Sequence, residues 1–138
     1  MNEYTYDRID IGLKESFEVV LTQEMMERFK AITGDTNPLH NDAEYAVSKG
    51  YSDKVVYGML TSSFVSTLAG VYLPGKYSLI HEVDIKLEKP VYVGDKITIE
   101  GVVKEKNDTF SFIVLKVVAR NQNGDKVFKA TMQVGVTK

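Results

Sequence analysis

Between Lys54 and Lys76 the chain carries no charged residue, and the middle of that interval reads GMLTSSFVSTLAGVY, residues 58–72. Leu60, Phe64 and Leu68 recur at helical spacing as one ridge, while Met59, Val65, Ala69 and Val71 cover the other faces. A helix that is apolar nearly all round has to be enclosed by other structure. The chain beyond Lys76 can enclose it. Leu79, His81, Val83, Ile85 and Leu87 share one parity, opposite Glu82, Asp84, Lys86 and Glu88. After Pro90 and Gly94-Asp95, the run from Lys96 to Val103 resumes with Ile97, Ile99 and Val103 inward. Thr109 to Arg120 is apolar on both parities, and Phe128, Ala130, Met132, Val134 and Val136 form one face. Asn107-Asp108 and Asn123-Gly124 mark hairpin turns between these runs. One buried helix and a meander of strands predict an α+β fold, a curved antiparallel sheet wrapped around a long central helix.

The N-terminal half adds smaller elements. Lys14 to Leu21 alternates as a strand, with Phe17, Val19 and Leu21 opposite Ser16, Glu18 and Val20. Thr22 is placed to cap a helix that starts at Gln23, with Met25, Phe29 and Ile32 on its core face and Gly34 as its stop. A short helix spans Ala43 to Ser48, and LPG at 73–75 ends the apolar helix. About the first twelve residues are polar and are expected to be poorly tied down. The length of 138 residues suits a single domain. With 43% hydrophobic residues, a core of this size needs no metal or disulfide staple.

Composition narrows the function classes. The absence of cysteine removes thiolate catalysis and zinc–thiolate sites. A net charge of −2 and the lack of any basic run argue against nucleic acid as a partner. No segment is long and apolar enough to span a membrane. The start, MNEYTYDRID, is too polar and acidic for a secretory signal, so a cytoplasmic location is expected.

Two stretches carry polar chemistry. GDTNPLHND, residues 34–42, brings Asp35 and His40 within five residues across a turn stiffened by Pro38. A carboxylate and an imidazole are the usual components of acid–base catalysis near neutral pH, and Asn37 adds an amide able to orient a water. Asp and Asn also cap helices, and Asn-Pro is a routine turn, so local composition alone favours a capped turn. The second stretch is Tyr57-Gly58-Met59-Leu60, at the start of the apolar helix. The first amides of a helix lack internal partners, and a glycine there lets a ligand approach the backbone closely. Such an amide suits a carbonyl oxygen gaining negative charge. Gly58 can equally serve close packing. His81, on the apolar parity of its strand, reads as a partly buried histidine without a catalytic role.

Together these segments resemble the MaoC-like dehydratases, whose best known members are the (R)-specific enoyl-CoA hydratases. The resemblance rests on D-T-N-P-L-H at 35–40, N-D-A-E-Y-A at 41–46 and Y-G-M-L at 57–60. It continues in L-P-G at 73–75 and K-P-V-Y-V-G-D at 89–95, with the spacing from His40 to Gly58 matching the family. It implies a hot-dog fold and a homodimer or higher homo-oligomer joined through sheet edges, with active sites near the subunit boundary. It further implies that Asp35 and His40 hold and activate a water, that Asn37 supports them and that the Gly58 amide binds the thioester oxygen. Many relatives have His before that glycine where this chain has Tyr57, which is therefore left outside the catalytic set. Ser63 and Ser66 are candidates to face the site from the helix, or else hydrogen-bond back to helix carbonyls.

The reaction this implies is reversible hydration of a trans-2-enoyl thioester to an (R)-3-hydroxyacyl thioester. The substrate would be carried on coenzyme A or an acyl carrier protein. No metal or redox cofactor is expected, because the thioester itself stabilises the α-carbanion. Lys86 and Lys89 are equally readable as solvated strand residues and as phosphate contacts. The rival activities are a hot-dog acyl thioesterase and a non-catalytic acyl-thioester binding module.

Overall fold

Alternation in the strands and the apolar run after Tyr57 converge on one core. The computed structural model describes residues 1–138. Its five strands are β1 (Lys14–Val20), β2 (Ser78–Leu87), β3 (Lys96–Asn107), β4 (Phe112–Arg120) and β5 (Lys126–Val136). They form one antiparallel sheet in the order β1-β3-β4-β5-β2. Ile97, Ile99 and Val103 of β3, Ile113, Leu115 and Val117 of β4, and Phe128, Met132 and Val134 of β5 are all buried on its inner face. Each such side chain contributes roughly 1.5–3 kcal/mol of burial free energy before chain entropy is subtracted.

The apolar run lies against that inner face as consecutive helical pieces: α4 (Gly58–Ser62), α5 (Phe64–Thr67) and a π-helical turn, Leu68–Tyr72. The Ser63 amide is shared between the Met59 and Leu60 carbonyls at 3.0 and 3.1 Å, which tightens the backbone there. Farther on, the Leu73 amide reaches five residues back to the Leu68 carbonyl at 2.8 Å, which widens it. Leu68 is fully buried. It occupies the space left by Gly101 on β3, where a Cβ would lie only 2.7 Å from Leu68 Cδ2. No helix is long and apolar enough to cross a membrane.

Three expectations are corrected. The first concerns β2. The β2–β5 register shifts between Ile80 and Glu82, so His81 is a bulged residue and the inward parity changes across it. Ile80, Val83, Ile85 and Leu87 oppose the inward residues of β5, whereas Leu79 opposes Gly135 on the other face. His81 is exposed, with its ring over Gly135 and its Nδ1 3.1 Å from Gln133 Nε2. The second concerns α1 (Gln23–Thr33), whose Thr22 cap accepts the Met25 amide at 3.2 Å. Met26 is buried and Met25 and Phe29 pack against the core as expected, but Ile32 is 83% exposed.

The third is the N-terminal segment, which is held in place. The Asn2 amide donates to the Val71 carbonyl at 2.8 Å, and the Tyr6 amide to the Lys138 carbonyl at 3.0 Å. Ile9 is fully buried. Its polar residues are used as tethers: the Tyr4 hydroxyl donates to Glu15 at 2.8 Å and the Tyr6 hydroxyl to Asp108 at 2.6 Å. Desolvation first, and the Asp108 carboxylate second, push the Tyr6 phenol from 10.0 up to about 12. The folded chain thus holds this proton over a window in which the unfolded chain loses it. Its stabilising share is complete below pH 10 and disappears as pH rises towards 12. A Tyr6→Phe variant is expected to show a shallower alkaline fall in thermal midpoint across that window than the parent chain.

Candidate active site

The turn after α1 is built by its own side chains. Gly34 takes the left-handed conformation, φ 72°, and reverses the chain at the end of α1. Asp35 Oδ1 accepts the Asn37 amide at 3.0 Å, and Asn37 Oδ1 accepts the Leu39 amide at 2.9 Å. Asn37 therefore caps the single-turn helix α2 (Pro38–Asn41), with Pro38 fitting its first position. Asp42 in turn caps α3 (Ala43–Ser48) by accepting the Glu44 and Tyr45 amides. His40 sits on α2 with its Nδ1 2.7 Å from the Val55 carbonyl oxygen. A carbonyl only accepts, so Nδ1 carries the hydrogen. In the neutral ring, Nε2 then keeps its lone pair and is available as a base.

Asp35 and His40 line the same cavity, of about 630 Å³, as Gly58 and Thr61 at the base of the central helix. Its apolar walls include Phe29 from α1, Val55 and Met59, Leu87 from β2, and Phe128 from β5. The Gly58 amide makes no hydrogen bond within the chain, as expected for the first residue of a helix. Leu87 packs so closely over Gly58 that a Cβ there would collide with Leu87 Cδ1. The cavity, open to solvent where Asp35 is exposed, is thus lined by a carboxylate residue, an imidazole residue and the residue with the free helix N–H, beside apolar walls. That set suits proton transfer to and from a water beside a polarised carbonyl.

This constellation can be set against known proteins. The family model described as MaoC like domain matches residues 7–125. The chain belongs to the MaoC-like family. An (R)-specific enoyl-CoA hydratase from Aeromonas caviae is 34% identical over 92 residues, which cover 67% of this chain and 69% of that protein. One of the same description from Rhodospirillum rubrum is 29% identical over 105 residues, 73% of each chain. Among solved structures, the unliganded R-hydratase from Pseudomonas aeruginosa superposes with a TM-score of 0.90 at 25% identity, covering 97% of this chain and 86% of that one. The (R)-hydratase from A. caviae does so with 0.88 at 28% identity, covering 93% and 97%. The sheet wrapped around a central helix in this MaoC-like chain is accordingly a hot-dog fold.

Some candidate residues of the MaoC-like chain lie away from the cavity. Ser63 and Ser66 are both exposed and do not line it, and Ser63 Oγ donates back to the Leu60 carbonyl at 2.6 Å. The helical face that starts at Gly58 continues three residues later, through Thr61, which does line the cavity. The i, i+3 relation was the signal that could have selected Thr61. Asn37 is exposed, and its side-chain oxygen is committed to the α2 cap. Lys89 reaches the cavity edge, its Nζ 3.2 Å from Asp125, whereas Lys86 opposes Lys129 on the outer face of the sheet. Tyr57, set aside in the sequence, is buried directly beneath the turn and lines the cavity.

Proposed function

We propose that this chain catalyses the reversible hydration of a trans-2-enoyl thioester to an (R)-3-hydroxyacyl thioester. The observation that supports this reading is the shared cavity lined by Asp35, by His40 with its Nδ1 tied to Val55, and by Gly58 with its unpartnered amide. Asp35 and His40 hold one water. As its oxygen bonds to C3 of the substrate, His40 Nε2 takes one of its protons. The thioester oxygen gains enolate charge and is stabilised by the Gly58 N–H. The proton then passes to C2, so the elements of one water are added across the double bond from one face. The names of the similar hydratases support the R configuration.

Crotonyl-CoA and a saturated acyl-CoA, incubated separately with the protein, test this reading. Loss of the enoyl absorbance with no thiol release is the expected result. Thiol release from the saturated substrate would instead identify a thioesterase. Binding without turnover of any enoyl thioester would identify a non-catalytic acyl-thioester binding module.

The functional unit in this reading is a homodimer joined through β2. That strand is at the edge of the sheet, and it leaves Leu79 56%, Val83 38% and Leu87 56% exposed. A long apolar edge strand is a template for pairing with another strand. Leu87 also lines the cavity, so the pairing edge and the site adjoin. A Val83→Lys variant is expected to shift the light-scattering mass from twice the chain mass to a single chain mass. An unchanged dimer would place the interface elsewhere.

A further inference from the structure

Tyr57 is 2% exposed, and its ring packs against two others. Phe29 lies with ring centroids 4.8 Å apart, and His40 at 4.3 Å with the planes tilted by 30°. Its hydroxyl donates to the Asp35 carbonyl oxygen at 2.5 Å and accepts from Asn41 Nδ2 at 3.1 Å. The same Asn41 amide also donates to the Asn37 carbonyl at 2.9 Å. One phenol therefore touches the imidazole directly, pins the backbone of the aspartate and, through Asn41, steadies the residue that caps α2.

No other hydrogen bond ties Asp35 itself to a residue outside the turn and α1. The other hydrogen bonds of residues 34–37 are all made within residues 30–42. Gly34, just before Asp35, has open space within 4 Å of its Cβ position. For residues 34–37 the Tyr57 hydroxyl makes the one hydrogen bond that reaches beyond residue 42, while the following Leu39 and His40 are held separately by Val55. The single hydroxyl hydrogen is already committed to the Asp35 carbonyl, which leaves the phenol none to give to substrate. Its contacts suit holding the acid–base pair in place. An imidazole at this position ends well short of where the phenol oxygen sits, so it could not make the same bond without movement of the turn.

We propose that Tyr57 is a positioning residue, a buried strut that sets the Asp35 carboxylate relative to His40. The inference rests on the hydratase reading above. Misplacing a reacting group by about 1 Å can cost up to a hundredfold in rate, and a strut that limits such drift acts on turnover more than on binding.

Tyr57→Phe keeps both ring contacts and removes the hydroxyl alone. It is expected to lower kcat on crotonyl-CoA by about tenfold with little change in KM. In an Asp35→Asn background the same change is expected to have no further effect, because there is no carboxylate left to position. Unaltered kcat in Tyr57→Phe overturns the proposal, as do equal fractional losses in both backgrounds, which would indicate a general structural role. A readout independent of turnover accompanies the kinetics. In two-dimensional amide NMR spectra, the signals of Asp35, Asn37, Leu39 and His40 should shift or broaden in Tyr57→Phe, with those of Ile99 and Leu115 unmoved. Unchanged turn signals overturn the strut. Absence of enoyl hydration by the parent protein defeats the hydratase reading instead, and the spectra then decide the strut by themselves.

Discussion

His40→Ala and Asp35→Asn are each expected to lower hydration of crotonyl-CoA by about a hundredfold or more while leaving a folded protein. The two losses have different origins. Alanine at 40 removes the only group in the cavity whose free lone pair belongs to a nitrogen base, together with its bond to Val55 and its stacking on Tyr57. Asparagine at 35 is a gentler change in shape. Its side-chain oxygen can still accept the Asn37 amide, so the turn keeps its geometry and only the negative charge is lost. A large effect from this nearly isosteric change therefore reports charge and proton transfer, not collapse of the turn. Asp35 is exposed and His40 half-buried, and neither belongs to the cluster of buried core residues. Circular dichroism and thermal midpoints near those of the parent are expected beside the kinetic losses. Near-normal turnover in both folded variants would remove Asp35 and His40 from the chemistry.

Leu68→Ala is expected to cost about 2–5 kcal/mol of stability, read by urea or thermal denaturation. Leu68 is completely buried, and it fits a site where β3 has no side chain at all. The sheet cannot fill the space that alanine would leave, since Gly101 contributes nothing that could move into it. Against a total stability of about 5–15 kcal/mol, this is a large fraction for one residue. The complementary change shows the same fit from the other side. Gly101→Ala introduces a Cβ 2.7 Å from Leu68 Cδ2 in the parent chain, but meets no such obstacle once residue 68 is alanine. The two substitutions are therefore expected to be strongly non-additive, the pair being more stable than the summed single losses. A Leu68→Ala loss below about 1 kcal/mol would mean that the helix is seated by other contacts.

Much of this arrangement was legible in the residues. Parity identified the inward faces of β3 and β5 correctly because their register shifts, after Val103 and before Phe128, fall outside the inward runs. It failed in β2, where the bulge at His81 switches the inward set from odd to even for the residues before it. Nothing local to LIHEV announces a bulge, which depends on how β2 meets β5. The charge-free run correctly located the central helix, but its tightening at Ser63 and widening after Thr67 are outcomes of packing. The N-terminal residues looked loose because their composition is polar. Their order comes from partners far along the chain, such as Glu15, Asp108 and Lys138. Asp35, His40 and Gly58, chosen by motif and spacing, all line the one cavity. Thr61 and Tyr57 were not, because their parts depend on which way a helix face turns and on what lies beneath a loop.

The bond between His40 Nδ1 and the Val55 carbonyl has a consequence for turnover. Val55 is joined to α2 twice, through that oxygen and through its own amide, which donates to the Leu39 carbonyl at 3.1 Å. Nδ1 bears a hydrogen in the neutral imidazole bonded this way, and also in the imidazolium. The anchor is therefore indifferent to the charge of the ring. In the proposed hydration, Nε2 can load and unload a proton in every cycle while the other nitrogen keeps the same partner, so the ring need not flip, migrate or re-dock between half-reactions.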